Sequence, residues 1–390
     1  MTSLLDNQLP EPNFIDRDPA QVTADMVAMY EGLTGKTLFP AQLERLLINT
    51  FAYREGLLRQ AIQDAAKLNL VRYSRAPVLD MLGENVDTPR IEAQPATCTL
   101  QFVFDSTTVA AVIPAGTQVG TDVLFSTSAD IDVASGATSA QGTASCTVAG
   151  TAGNGFVAGQ INGLIGVVNG LNITAAQNVD TTANGTDDEE DDPYRERIVL
   201  APESFSTAGP SDSYIYWARS VSAAIVDVKV VYPQLALVNG QLTSANQVPP
   251  GCVFLYVLTS TGPASQPLKD QVLAACNPKN RRPATDFVQV QDVVEVDYQI
   301  EAQLTLLSDA DGTTALAQAN TAASSYVTAR ETTLGLDIVR EQIIGVLNGP
   351  SAYGVYKVNL IQPAADQVLD ESQWGHCTGV NITIAGTTDG

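Results

Sequence analysis

Positive charge and histidine are scarce in this chain. It has 20 lysine and arginine residues against 43 aspartate and glutamate residues, a formal charge of −23 at pH 7, and one histidine. Because each phosphate contact needs a lysine or arginine, this balance argues against nucleic acid as a direct partner. A negatively charged membrane surface is disfavoured for the same reason. The remaining expectation is a surface that meets other proteins.

Paired cysteines and long apolar runs are also missing. The five cysteines are scattered with no CxxC spacing, which favours reduced, buried thiols over a disulfide framework. No apolar stretch reaches about 18 residues, so no membrane span is predicted. The polar, acidic start lacks the basic segment and apolar run of a secretion signal, and we expect the protein to fold in the cytoplasm.

Motifs for catalysis and metal binding are absent as well. His376 adjoins Cys377, but neighbouring residues on a strand point to opposite faces, so we do not expect a nucleophile pair. One histidine and scattered thiols do not supply a zinc site of the usual kinds. No GxSxG, P-loop or GxGxxG motif stands between a strand and a helix. We predict no enzymatic activity, cofactor or metal, with paired carboxylates for glycoside hydrolysis the one alternative still open.

Length and composition predict several folded domains. A chain of 390 residues is too long for one core, and 45% apolar with 16% charged residues is typical of globular proteins. We predict an α+β multidomain fold with long N-terminal helices, a Gly/Thr-rich all-β middle module, and C-terminal α+β domains with antiparallel sheets. The expected parts are an extended arm (1–18), an N-terminal helical region (19–90), an all-β module (91–185), an α+β domain (186–290) and a C-terminal α+β domain (291–390).

The N-terminal region contains two helical patterns. The spacing of apolar residues predicts one helix over 19–33 and a longer one over 40–73, about 50 Å in length. The longer helix carries apolar residues at steps of three and four, among them Leu43, Leu47, Phe51, Leu58 and Ile62. The helix could lie across its own β domain, or it could bundle with other chains. The second interpretation is favoured, because little chain precedes the helix to cover its apolar face.

Patterns in the rest of the chain switch from strands to a mixture of strands and helices. Residues 93–183 are rich in Thr, Ala, Gly, Val and Ser with frequent turn signals, which predicts an all-β module. Strict alternation predicts a half-buried strand over 296–306. Helices over 314–330 and 337–347 and closing strands then indicate helices packed on an antiparallel sheet.

Six consecutive carboxylates, Asp187 to Asp192, precede a helical segment predicted over 195–203. The run, which we call the acidic segment, could be a calcium loop, a solvated linker, or a charged contact that also favours the start of the helix. Arg195 and Arg197 are two residues apart and therefore point to different sides of a helix. We expect one to fold back onto the acidic segment and the other to face a neighbouring subunit.

Two short motifs later in the chain, a Gly-Pro pair and an Arg-Arg pair, are candidate structural or interface positions. Gly209-Pro210 predicts a turn before a helix that carries Tyr214, with a structural role. Arg281-Arg282 is the only adjacent basic pair in the chain. It could lie in a solvated loop, or it could dock onto an acidic surface of an identical or partner chain through forked hydrogen bonds.

Six short motifs occur in an order that resembles the baseplate J-like family, the wedge proteins of contractile phage tails, tailocins and related injection machines. They are residues 112–117, residues 149–154, the acidic segment with 194–198, Gly209-Pro210 with Tyr214 and Ala218, residues 281–286, and residues 336–347. The resemblance covers about residues 90–390. The acidic segment is longer than is usual in the family, and 349–354 is an insertion.

The resemblance implies a structural subunit of a tail baseplate in a virion or particle, assembled in the bacterial cytoplasm. Implied partners are a second copy of the chain, a helical wedge partner similar to tail protein I, a sheath initiator with a lysozyme-like fold, neighbouring wedges and the central hub. The candidate interface residues are Leu43, Leu47, Phe51, Leu58, Ile62, Arg195, Arg197, Tyr214, Arg281 and Arg282. The alternative function is a β-rich, particle-borne adhesin or carbohydrate-binding protein, which the few aromatic residues of the β module disfavour.

Overall fold

The computed structural model describes residues 9–105, 109–168, 170–206, 209–238, 241–279, 281–349 and 354–389. The chain divides into two compact units. The first comprises Met1–Arg90 with Glu190–Ala201, and the second comprises Ile91–Glu189 with Pro202–Gly390.

The described part of the first unit is helical. Its elements are α1 (Pro19–Thr34), α2 (Leu43–Lys67), a 3-10 turn (Val71–Tyr73), α3 (Val78–Glu84) and α4 (Asp191–Leu200). Helix α1 matches its prediction because both ends carry strong signals. The side chain of Asp18 accepts a hydrogen bond from the Ala20 amide at 2.9 Å, and Gly35 ends the helix in the left-handed conformation.

Helix α2 is shorter than the predicted segment 40–73, because it ends at Lys67. The Asn69 side-chain amide donates to the carbonyls of Ala65 (3.2 Å) and Ala66 (3.4 Å), which satisfies acceptors that the ending helix leaves open. Twenty-five residues correspond to about 37 Å, so α2 is still long for a unit of this size.

Residues 9–18 run without regular structure along α2. Gln63 of α2 is fully buried; its side-chain amide donates to the Pro12 carbonyl at 2.6 Å and accepts from the Phe14 amide at 2.9 Å. Arg59 donates to the Asp16 carbonyl at 3.0 Å. The chain's own N-terminal segment therefore occupies one side of α2.

Helix α4 begins four residues earlier than the predicted 195–203 and ends at Leu200, and a 3-10 helix, Ala201–Phe205, follows directly. Acidic residues in its first turn favour the positive end of the helix. The predicted domain boundaries place this helix in the domain 186–290. In the structure Tyr194 and Ile198 pack with Leu79 of α3, because these large apolar groups complete a small core there.

The first part of the second unit is all-β apart from a 3-10 turn at Thr151–Gly153. Its strands are β1 (Pro95–Phe104), β2 (Ala111–Ile113), β3 (Gln118–Gly120), β4 (Leu124–Thr127), β5 (Ile131–Val133), β6 (Ser139–Ala149), β7 (Leu164–Ile165) and β8 (Ile173–Asn178). Six strands form an antiparallel sheet in the order β7-β3-β4-β6-β1-β8, and β2 pairs with β5. The predicted all-β middle module is confirmed.

The next part alternates helices and strands. Its elements are α5 (Ser211–Arg219), β9 (Ile225–Val231), β10 (Leu235–Val238), β11 (Gln241–Ser244), β12 (Cys252–Thr259), β13 (Gly262–Pro263), α6 (Gln266–Cys276) and β14 (Phe287–Gln291). Strand β12 is central: it pairs antiparallel with β9 and β13 and parallel with β14. Its buried residues Leu255 and Leu258 have almost no exposed surface.

The last part is a three-stranded sheet with two helices: β15 (Val294–Leu307), α7 (Gly312–Glu331), α8 (Arg340–Asn348), β16 (Val355–Gln362) and β17 (Gln373–Thr388). Alternate residues of the central strand β15 are buried, from Tyr298 to Leu306. Helix α7 contributes only alanines to the fully buried set, namely Ala315, Ala319 and Ala323.

The predicted α+β fold class is confirmed, but the pairing of the later sheets is mixed rather than wholly antiparallel. Strand β17 runs parallel to β15, with Val294 opposite Gln373 and Leu307 opposite Thr388. The chain after β16 returns to the end of the sheet where β15 begins, so the last strand follows the direction of β15. Strands β12 and β14 are parallel because the whole of α6 lies between them.

Tyr194 provides a test of the small core of the first unit. Its side chain is fully buried, and its hydroxyl donates to the Thr88 carbonyl at 2.8 Å. We expect Tyr194→Phe to reduce local stability by about 1–3 kcal/mol, because Thr88 loses this buried donor. Hydrogen exchange in 78–84 and 191–200 should accelerate accordingly. Tyr53→Phe, at an exposed tyrosine of α2, is the control; equal exchange in both variants would contradict the packing described.

Candidate assembly surfaces

Helix α2 has two chemically different sides. Ala52 and Gln63 are buried, and being eleven residues apart they lie on the same side of a helix with 3.6 residues per turn. That side is engaged within the chain, through the N-terminal segment at Gln63. Elsewhere α2 carries seven apolar side chains that are between 50% and 70% exposed. This set, the apolar band, is Leu43, Leu46, Leu47, Phe51, Leu57, Leu58 and Ile62.

The apolar band includes all five candidate interface residues that were predicted on this helix. Leu46 and Leu57 are additions that the spacing of three and four already contained. Helix α1, which packs against α2, adds Met29 and Leu33, both exposed. Single exposed leucines are ordinary on protein surfaces, but a contiguous apolar patch marks an interaction site. Full burial of one such side chain is worth about 1.5–3 kcal/mol, so covering the band would stabilise an assembly substantially.

The first half of the acidic segment bonds backbone amides of the second unit. Asp187 accepts hydrogen bonds from the amide and hydroxyl of Thr151, both at 2.9 Å. Asp188 accepts from the Ala93 amide at 2.8 Å, and Glu189 accepts from the Ile91 amide at 3.1 Å. The hydrogen bonds from Thr151 lower the pKa of Asp187 below its ordinary value. These carboxylates satisfy amides rather than standing free in solvent.

The second half of the segment pairs with arginines of the first unit. Arg90 bridges Asp191 (2.7 Å) and Asp80 (2.8 Å). Burial opposes ionisation of Asp191, yet the hydrogen bond and charge of Arg90 hold the pKa of that carboxyl below its ordinary value. The carboxylates thus face separate donors, unlike the converging oxygens of a calcium loop. Of the three interpretations, the structure supports a charged contact, made within the chain.

Arg195 and Arg197 both lie on α4 and form contacts within the first unit. Arg195 pairs with Asp192 and donates to the Ser74 carbonyl at 2.7 Å, so the prediction that one arginine folds back onto the acidic segment is confirmed. Arg197 is buried and donates to the Pro89 carbonyl at 2.6 Å. Its guanidinium lies 5.6 Å from the ring of Tyr194. These contacts account for Arg197 within its own chain.

Two motifs that are far apart in sequence meet around Tyr214. This residue is buried, and its hydroxyl donates to Asp286 at 2.8 Å. Burial, reinforced by Asp286, raises the pKa of Tyr214 well above its usual range. Gly209 has a φ of 80°, and a Cβ there would lie 2.8 Å from Pro283. Only glycine suits this position, so the expected structural role of Gly209-Pro210 has a physical cause.

The basic pair 281–282 is also engaged inside the chain. The Arg281 guanidinium lies 3.6 Å from the ring centroid of Trp217, and it donates to the Ala275 carbonyl at 2.8 Å. Arg282 donates to the Asn277 carbonyl (3.0 Å) and to the Asp286 carbonyl (2.6 Å). The pair is therefore not a solvated loop. It fixes the segment that supports Tyr214, and any contact with a partner would add to these bonds.

The single histidine lies on the C-terminal sheet. His376 faces Glu295 and Asp297, whereas Cys377 packs on the opposite, core side of β17. The two neighbouring side chains therefore lie on opposite faces of the strand, as expected from the sequence. Among the described residues, no helix has the length and apolar content required to traverse a bilayer.

Comparison with protein families gives four matches in chain order. The N-terminal, barrel, central and C-terminal domains of Baseplate J-like proteins match residues 45–97, 99–185, 206–292 and 298–383. These matches cover most of the sequence. The chain belongs to the Baseplate J-like family.

Baseplate protein J of Escherichia phage P2 is 33% identical over 203 residues, a match that covers 52% of this chain and 61% of the phage protein. Among solved structures, a chain of the cryo-EM structure of the anti-feeding prophage (AFP) baseplate, 6-fold symmetrised, is similar in fold. The alignment covers 92% of this chain and 90% of that chain. The identity in that alignment is 10% and the TM-score is 0.42.

The hydrogen bonds that the Asp187 carboxylate accepts predict that the stability of the fold depends on pH. Because its pKa is lowered on folding, the bonds to Thr151 contribute stability above the ordinary carboxyl pKa of about 4 and lose it as pH falls through the lowered value. We expect Asp187→Asn to melt at a lower temperature than the wild type at pH 7, with the difference shrinking below about pH 4.

Thermal melts between pH 7 and pH 3 measure this effect. Asp389→Asn, at a carboxylate in the last residues of the chain, is the matched control and should follow the wild type throughout. A constant difference between Asp187→Asn and the wild type across the range would show that the carboxylate charge is not what matters.

Proposed function

We propose that this chain is a structural subunit of the baseplate of a contractile tail or related injection machine. In this proposal it acts as a wedge subunit, with two copies pairing with each other and with one helical partner similar to tail protein I. A sheath initiator, neighbouring wedges and the central hub are its further contacts. The family membership and the similarity to baseplate protein J of phage P2 support the general role.

The observation that carries the proposal is the apolar band of α2. One side of the helix is already occupied by the chain's own N-terminal segment, while seven large apolar side chains remain at least half exposed on other sides. A second α2 and a helix of a partner chain would bury such a surface in a bundle, because apolar residues at steps of three and four pack well between helices.

The proposed mechanism is mechanical. Polar interfaces of modest size between domains and subunits allow rigid-body movements, whereas one fused core would not. A ring of paired wedge subunits would hold the sheath-initiating complex until a trigger rearranges the wedge contacts. The ring would then widen and pass the signal to the sheath.

The alternative function, a carbohydrate-binding module, finds no support in the β module. Sugar-binding sites usually present aromatic rings to the sugar. The residues between Ile91 and Glu189 include four aromatic side chains, all phenylalanines. Phe102, Phe104 and Phe125 are buried in the core, and Phe156 packs against it.

Introducing negative charges into the apolar band tests the proposal. The double variant Leu47→Glu/Leu58→Glu, co-expressed with a helical wedge partner from the same gene cluster, should lose co-purification by at least about 10-fold. The reason is that each carboxylate would have to be buried in the bundle at a cost of several kcal/mol.

The control is Val167→Glu/Val368→Glu, which adds the same charge at two valines that are more than 80% exposed and lie outside α2. Circular dichroism of both variants checks that the helices persist. Retention of the partner by the α2 variant, with its helical signal intact, would remove the apolar band from the interface.

A further inference from the structure

The parallel pairing of β15 and β17 assembles three potential metal ligands on one exposed face. Asp297 stands directly opposite His376, and Glu295 lies two residues earlier on the same side of β15. The Nδ1 atom of His376 is 2.6 Å from a Glu295 oxygen and 3.0 Å from an Asp297 oxygen. One ligand atom from each of the three residues lies within 4.8 Å of the other two.

The imidazole is held in place by its surroundings. The ring of Trp374 stacks on it with centroids 4.9 Å apart and planes 17° from parallel. Trp374 is itself buried, and its indole nitrogen donates to the Glu331 carbonyl at 2.9 Å. The orientation that aims Nδ1 between the two carboxylates is therefore set by a fixed neighbour, which is the arrangement that metal-binding histidines need.

The charges of this cluster do not balance. Two carboxylates share one imidazole, which carries at most one positive charge. Within the described parts of the chain, neither Glu295 nor Asp297 forms an ion pair with a lysine or arginine. The chain as a whole carries a formal charge of −23, so its field also attracts cations. A divalent cation would remove the repulsion between the carboxylates.

We propose that Glu295, Asp297 and His376 form a binding site for a divalent transition-metal ion of the zinc class. Zinc is bound by histidine nitrogen and carboxylate oxygen at about 2.0–2.2 Å, which places neighbouring ligands about 3.3 Å apart in a tetrahedron. The observed separations of 2.6 and 3.0 Å approach this value, and small movements of the partly exposed side chains would reach it. Imidazole also favours zinc-like ions over magnesium or calcium, which prefer oxygen ligands only.

Three protein ligands leave one coordination position open towards solvent. Water would complete the shell in the isolated chain. In a particle, a side chain of a neighbouring subunit would serve equally, since the site lies on an exposed sheet face. The proposal does not depend on the baseplate role, because it concerns binding of the ion by one chain.

Calorimetric titration of the metal-stripped full-length chain with zinc chloride, and separately with magnesium chloride, tests the site. We expect one zinc ion per chain and much weaker binding of magnesium. Loss of a residue that only hydrogen-bonds to a metal ligand weakens metal binding about 10- to 100-fold. His376→Ala removes a ligand itself, so it should weaken zinc binding by more than that. Glu295→Gln and Asp297→Asn should each weaken it as well, and circular dichroism of each variant confirms folding.

Two matched controls separate this site from other zinc ligands. Glu301→Gln removes a carboxylate from the same face of β15, about 13 Å further along the strand, and should bind like the wild type. Cys377→Ser removes the thiol next to His376 and should also leave binding unchanged.

Cobalt(II) substitution gives a second readout. Its visible absorption should indicate a site with nitrogen and oxygen ligands, and the bands should disappear in His376→Ala. Zinc affinity that survives in His376→Ala, is lost in Cys377→Ser, or is undetectable in the wild type would overturn the proposal. So would magnesium binding as tight as that of zinc.

Discussion

The first unit depends on how the surface of helix α2 is divided, because a side chain on one side of a helix cannot contact groups on the opposite side. Helix α2 devotes one side to the N-terminal segment, where the buried amide of Gln63 satisfies two backbone groups. A buried glutamine is tolerated only because its hydrogen bonds are made. The leucines on the rest of the helix remain at least half exposed. The helix thus stabilises its fold with one surface, and its other surface is the one proposed above to meet partner subunits.

Elsewhere, most of the charges that stood out in the sequence are used internally. Five of the six carboxylates of the acidic segment accept hydrogen bonds from backbone amides or pair with Arg90 and Arg195. The arginines at 281 and 282 satisfy carbonyl groups of the segment in which they lie. Some of these acceptors are local, as for Arg281 and Arg282, whereas Arg90 and Arg195 reach groups more than a hundred residues away in sequence. The acidic segment and the arginines at 281 and 282 therefore hold the loops in which they lie in one conformation.

The sequence predicted the elements of this fold better than their connections. Periodicity identified α1, α2, α7 and the alternating strand β15, since a period of 3.6 or 2 is a local property, but it did not identify the short helix α3. The parallel pairing of β15 with β17 was missed, because strand direction is decided by the route of the intervening chain. The end of α2 at Lys67 was missed because the apolar spacing continues past it, into the residues of the following 3-10 turn. Likewise, the leucines of the apolar band were predictable from spacing, whereas the burial of Tyr214 and Arg197 follows from partners more than seventy residues away.

The alanines of α7 set the thickness of the last domain. Ala315, Ala319 and Ala323 are one turn apart and nearly inaccessible, so along this row only methyl groups lie between the helix backbone and the core. Interiors are packed to crystal-like density, and the layer cannot widen locally to admit a longer side chain. The size of these three side chains therefore fixes the distance between the helix and the strands. Of the common side chains, only those of glycine, alanine and serine are small enough for these three positions.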